Sequence, residues 1–185
     1  MRLSDLNGFK TGGFSSDYDP NFRTFYSPVD DVHGALKATL SSATQSLIVA
    51  MYGFDDDELS AILLDKLKSE GVTVQLTLDS SQAGGVHEKT LLTAWLDPTV
   101  DTPNSSIVSI GRSEKGAIQH QKGVVIDSRF VISGSTNWSG GGETKQDNQC
   151  TILDSRPEAA ALRHRIDAIH LNQLQQMAAK QGATK

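Results

Sequence analysis

Two short apolar runs, residues 123–126 and 130–133, are joined by only Asp127-Ser128-Arg129, and this constrains the 185-residue chain more than any other feature. A connection that short cannot return a strand in parallel, so the unit reads as an antiparallel pair. Polar chemistry stands at both ends of it. His120-Gln121-Lys122 precedes the first run and Gly134-Ser135-Thr136-Asn137 follows the second, giving the pattern H-x-K, four residues, D, six residues, G-S-x-N. Residues two apart on extended backbone share a face, so His120 and Lys122 look into a common space. Gly134 and Ser135, in a loop directly after an apolar run, can deliver a hydroxyl, an amide and backbone N–H groups to it. The set suits a phosphate: Lys122 supplies charge, Ser135 and Asn137 supply donors, and His120 supplies a nucleophile or proton carrier.

This pattern resembles, at every fixed position and every spacing, the signature of the phospholipase D superfamily. Within it the chain is similar to the small bacterial endonucleases, in which one short chain carries one copy of the motif and two chains build one active site. The similarity runs from about Phe25 to the end. Beyond the signature it rests on Tyr26-Ser27-Pro28 and on residues 46–52 and 71–79. It implies a metal-independent phosphodiesterase without cofactor, a homodimer acting on nucleic acid through a phosphohistidine.

No second copy of the complete pattern occurs in the chain. Covalent cleavage of a phosphodiester needs a nucleophile at phosphorus and an acid for the departing oxygen, and one His120 cannot begin both tasks. An isologous interface brings identical patches together, so His120 of one protomer attacks and the partner's His120 donates. Lys122, Ser135 and Asn137 then hold the non-bridging oxygens. The resemblance places Asp127 in the catalytic set as structural and electrostatic support. Its odd interval from His120 puts it in the turn at the strand end.

One position departs from the family pattern. Eleven residues past the signature asparagine, where the endonuclease relatives commonly carry a glutamate that orients a catalytic histidine, this chain has Asn148. An amide oxygen can accept the imidazole N–H but cannot stabilise imidazolium as a carboxylate would. Asp147 and Glu143 are the carboxylates that could supply the charge.

The remaining pattern is that of one α/β domain: a three-layer α-β-α sandwich with a mixed, largely parallel sheet, spanning residues 24–185 after an N-terminal extension of residues 1–23. Ser27-Pro28 reads as an N-cap and first-turn proline, followed by Val29, Val32, Leu36, Leu40 and Ala43 at helical spacing. Residues 47–52 form a strand covered on both faces. Asp55, Asp56 and Asp57 open a second helix, as its dipole favours, rather than marking a metal site. Val72, Val74, Leu76 and Leu78 alternate, predicting a strand with one polar face. A short helix ends in Trp95-Leu96, and a loop passes through Asp97-Pro98 and Pro103. Ser155-Arg156-Pro157-Glu158 begins a long final helix that turns Leu162, Ile166, Ile169, Leu174 and Met177 inward.

Composition excludes several classes. Hydrophobic residues at 37% and charged residues at 21% describe a globular domain. No apolar run reaches the length of a membrane span, and residues 1–8 contain no signal-like apolar segment, so a cytoplasmic location is the default expectation. The single Cys150 rules out a disulfide framework and a Cys-rich zinc site. Net charge of −5 is not that of a protein gripping many phosphates, although a local patch around Arg112, Lys115, Lys122 and Lys145 can act against the total. Three functions fit the residues: a nuclease, a lipid-directed phosphodiesterase, and a non-catalytic binding module on the same fold. The single motif copy favours the first, and the intact His120, Lys122, Ser135 and Asn137 weigh against the third.

Overall fold

The computed structural model describes residues 1–69, 71–82, 86–96 and 107–182. The strands are β1 (Phe22–Ser27), β2 (Ser46–Met51), β3 (Phe54–Asp55), β4 (Thr73–Asp79), β5 (Ile107–Gly111), β6 (Lys122–Ile126), β7 (Phe130–Gly134), β8 (Trp138–Ser139) and β9 (Asn148–Asp154). The helices are α1 (Val32–Ser41), α2 (Asp57–Lys68), α3 (Val86–Leu96), α4 (Gly140–Thr144) and α5 (Arg156–Gly182). Seven strands form one open sheet in the order β1-β9-β7-β6-β2-β4-β5, and β3 pairs with β8 in a two-stranded ribbon.

β2 shows why the layers form. Leu47, Val49 and Met51 point into a core shared with Leu36, Leu40 and Leu63 of α1 and α2, while Ile48 and Ala50 point into a second core with Ala159 and Ile166 of α5. All five are at most 1% exposed, which confirms a strand covered on both faces. The expected three layers are therefore present. The sheet is mixed, but the expectation of a largely parallel one is corrected. Only β2–β4 and β4–β5 are parallel; the β6–β7 hairpin and the return of β9 between β7 and β1 make the other four pairings antiparallel. The loop through Asp97-Pro98 and Pro103 lies outside the described residues.

Local chemistry differs from the expectation at two further places. The N-cap of α1 is Asp31, whose carboxylate accepts the Gly34 N–H at 2.8 Å, and not Ser27. The Ser27 hydroxyl is instead engaged by the carbonyls of Gly142 and Gln146. Residues 1–23 also pack onto the domain: Leu3 and Leu6 are buried in the α1 core, Arg23 Nε donates to Asn7 Oδ1 at 2.7 Å, and Lys10 pairs with Asp30.

The alternation of β4 is as expected, but its polar face is not solvated. The α5 helix covers it, and the hydroxyls of Thr77 and Ser109 approach His170 Nδ1 at 2.9 and 2.8 Å while Ser109 donates to Gln173 Oε1. The buried stripe of α5 thus carries His170 and Gln173 beside Ile166 and Ile169, with Leu174 and Met177 only half-buried. Burial pushes His170 down to about 4. In the unfolded chain it regains the ordinary value near 6.5, so between those limits the unfolded state holds the extra proton and acid weakens the fold.

Asp127 is the keystone of the hairpin turn, with φ of 51°. Its carboxylate accepts N–H groups of Thr44, Gln45 and Ser46 and the Thr44 hydroxyl at 2.8–3.2 Å, tying the turn to the start of β2. Desolvation raises its pKa, but these donors together outweigh it and hold the carboxyl below its usual range.

Two outcomes follow for solution measurements. Denaturant unfolding at pH 7.5 and 4.5 should show His170→Gln losing about 2 kcal/mol less stability on acidification than the parent chain; equal losses would contradict a neutral buried His170. Asp127→Asn should cost about 1–3 kcal/mol, discounted for partial solvent exposure, and leave any turnover of the folded protein unchanged. A stable variant that loses turnover would return Asp127 to the catalytic set.

Candidate active site

The hairpin returns its two polar ends to one edge of the sheet. Lys122, first residue of β6, pairs with Met51 of β2, and Gly134 at the end of β7 pairs with Cys150 of β9. Four adjacent strands therefore present Tyr52, Lys122, Gly134-Ser135 and Asn148-Gln149 together. Gly134 is required here by close approach, since a Cβ would lie 2.0 Å from the Gln149 carbonyl oxygen.

His120 lies not on a strand, as expected, but in the loop just before β6, and it is exposed. Its neighbours are nevertheless fixed. Asp79, 0% exposed, accepts the Gln119 N–H with one oxygen and the Ser81 N–H and hydroxyl with the other. The buried Gln119 amide accepts the Gln121 N–H at 2.7 Å and donates to the Thr77 carbonyl, so a clamp closes on both sides of His120. The imidazole meets the Tyr52 ring edge-on, with centroids 4.5 Å apart.

Lys122 is 8% exposed, and burial lowers its pKa. Its ammonium donates to the His120 carbonyl at 3.1 Å and lies 4.9 Å from the Tyr52 ring centroid. Tyr52 thus touches both motif residues. Sequence reasoning missed it as a site residue, along with Gln119; the only signal was the place of Tyr52 at the end of an apolar run.

Ser135 is exposed, donates to Asn148 Oδ1 at 2.8 Å and accepts the Gln149 N–H at 3.1 Å. Asn148 is oriented by donation to the Gly142 carbonyl, so it steadies Ser135 rather than His120 within one chain. Asn137 packs against Gly53, where a Cβ would meet its Cγ at 2.9 Å, and its buried Oδ1 has no partner. His120, Lys122, Ser135 and Asn137 are thus gathered at one edge.

Three expected members are not. Asp127 sits at the far end of β6, a five-residue strand spanning about 16 Å, and its bonds are all to the start of β2. Asp147 is exposed in the turn before β9. Glu143, 2% exposed, turns away to His33, its Oε2 2.5 Å from Nδ1. Burial raises the Glu143 carboxyl to about 7, against the lowering effect of His33. His33 is therefore half-buried against acids. His87-Glu88-Lys89 also spells H-x-K, but it begins α3 and has Ala94 where the pattern places aspartate, so it is no second motif.

An exposed imidazole, a buried ammonium and a hydroxyl around an open edge can bind a phosphate diester and attack it. The comparisons agree with the general class, a phosphodiesterase. A curated relative, the mitochondrial cardiolipin hydrolase of Chlamydomonas reinhardtii, is 25% identical over 130 residues, covering 70% of this chain and 53% of its own length. The chain thus spans about half of that relative. Two solved structures share the fold. Nuc from Salmonella typhimurium, a phospholipase D family member, has a TM-score of 0.65 at 21% identity, covering 82% of this chain and 94% of its own. NucT from Helicobacter pylori has a TM-score of 0.63 at 22% identity, covering 82% and 97%. The family described as "Cardiolipin synthase, PLD-like domain" matches residues 36–170, which contain the whole H-x-K to G-S-x-N hairpin, and the chain belongs to this phospholipase D-like family of phosphodiesterases.

Proposed function

We propose that the chain is a metal-independent nuclease that cuts a nucleic-acid phosphodiester through a phosphohistidine on His120, in a site completed by a second copy of itself. The observation that carries this is a lone exposed imidazole beside a buried ammonium. The other four histidines are engaged elsewhere or distant: His33 with Glu143, His87 near Asp55 and Asp57, His170 with Thr77, and His164 on the outer helix α5. One chain therefore offers a nucleophile and no histidine acid.

In the composite site a His120 ring nitrogen attacks phosphorus as the P–O bond breaks, and the partner's His120 gives its proton to the leaving oxygen. That histidine then takes a proton from water, whose oxygen attacks phosphorus and breaks the P–N bond. Lys122 and the Ser135 hydroxyl stabilise charge on the non-bridging oxygens. Tyr52 holds His120 and Lys122 apart at a fixed spacing. The exposed edge supports a polymeric substrate with a continuous phosphate backbone. The likeness to a cardiolipin hydrolase favours a second reading, a lipid diester, at the same residues.

The test is incubation with single- and double-stranded DNA, RNA and cardiolipin vesicles in excess EDTA, beside His120→Ala. Nucleic acid should be cut with EDTA present, base-stable phosphate label should collect on His120, and His120→Ala should lose at least about a thousandfold. Cleavage of cardiolipin alone would replace the nuclease by the lipid reading. Activity abolished by EDTA and restored by magnesium would overturn the covalent mechanism.

A further inference from the structure

The edge around His120 leaves a second cluster unexplained. His33 of α1, Asp56 ahead of α2 and Glu143 of α4 converge from three elements distant in sequence, each offering a ligand atom within 4.8 Å of the others. Glu143 is the buried member, its side chain 1% exposed. One carboxylate oxygen meets His33 Nδ1, and the other, Oε1, is buried without any partner. A buried carboxylate left half-satisfied is costly, and either a proton or a bound cation relieves that cost.

Asp56 divides its oxygens in a way that suits a ligand. Oδ1 accepts the Leu59 N–H and caps α2, while Oδ2 faces His33 Nδ1 at 3.5 Å. Asp55, Asp57 and Glu58 line the same open pocket, and no lysine or arginine lines it among the described residues. Glu58 is paired with Lys37, and Asp55 and Asp57 stand beside His87, which leaves His33, Asp56 and Glu143 as a preformed set of nitrogen and oxygen donors.

We propose that His33, Asp56 and Glu143 bind a divalent transition metal ion of the zinc class, with water in the fourth position. Nitrogen with two carboxylates is a zinc donor set, whereas calcium and magnesium take oxygen alone. Ligand atoms around tetrahedral zinc stand about 3.4 Å apart, so the ion replaces the His33–Glu143 hydrogen bond by a withdrawal of about 1 Å, and the imidazole binds without its proton. The ion ties α1, α2 and α4 together. Its ligand Glu143 directly follows Gly142, whose carbonyl anchors both Ser27 and Asn148, and so the ion acts on the fold and not on phosphorus. This inference is independent of the substrate proposed above.

The experiment is calorimetric titration of Zn2+ into the full chain after chelator treatment and buffer exchange, with Co2+ absorption as the report of coordination. One ion per chain should bind and raise the melting temperature. His33→Asn and Asp56→Asn, the latter keeping an N-cap, should each weaken binding by about tenfold or more, while His87→Asn, altered beside Asp55 and Asp57, should leave it unchanged. Circular dichroism of each variant establishes that it is folded. Absence of saturable binding to the folded parent chain would overturn the site. So would binding that survives His33→Asn, or that is lost in His87→Asn instead.

Discussion

The buried carboxylate of Asp79 is the interaction on which the candidate site depends. At 0% exposure its oxygens need donors from the protein, and those donors are the Gln119 N–H on one side and the Ser81 N–H and hydroxyl on the other. Satisfying those oxygens fixes the backbone that enters β6. With Gln119 clamped, Gln121 is held by its side chain, His120 has nowhere to project but outward, and Lys122 begins the strand that carries its ammonium back under the same loop. The geometry of the edge is thus imposed by an acid buried beneath it.

Charge placement resolves the conflict between an acidic chain and a phosphate-directed edge. Asp55, Asp56, Asp57, Glu58 and Glu143 gather in one pocket with His33, so five of the 22 acidic residues are grouped away from the edge where the buried Lys122 lies beside the exposed Ser135. A net charge of −5 describes the sum and not the surface that a diester would meet. Helix α4 connects the two regions, because its Glu143 belongs to the acidic pocket while the Gly142 carbonyl positions the Asn148 amide behind Ser135.

Much of the architecture was legible because it is periodic. The hairpin, the doubly covered β2, the alternation of β4 and the capped final helix all leave local patterns in the sequence. β1 and β9 do not, since Phe22–Ser27 and Asn148–Asp154 mix polar and apolar residues and find each other across more than a hundred positions. Separation in sequence likewise hid Glu143 from His33, 110 positions away, and Asp127 from Thr44, 83 positions away, so neither acid's partner in space was legible. Parity placed Asp127 in its turn but could not say that the turn lies at the opposite end of β6. Gln119 and Tyr52 went unnoticed because a clamp and an aromatic spacer have no spacing rule of their own. The helix that covers the polar face of β4 left no trace in its alternation, which reports two faces and not what covers them.

The central claim, that one chain carries half of a catalytic site, is tested most directly by subunit mixing. Parent chain and His120→Ala are co-refolded at varied ratios and constant total protein, with exchange verified by a mass-tagged subunit. A site that needs His120 from both chains gives turnover proportional to the square of the parent fraction, so an equal mixture keeps about a quarter of full activity. A linear dependence, with about half remaining in a mixture shown to have exchanged, would contradict the composite site.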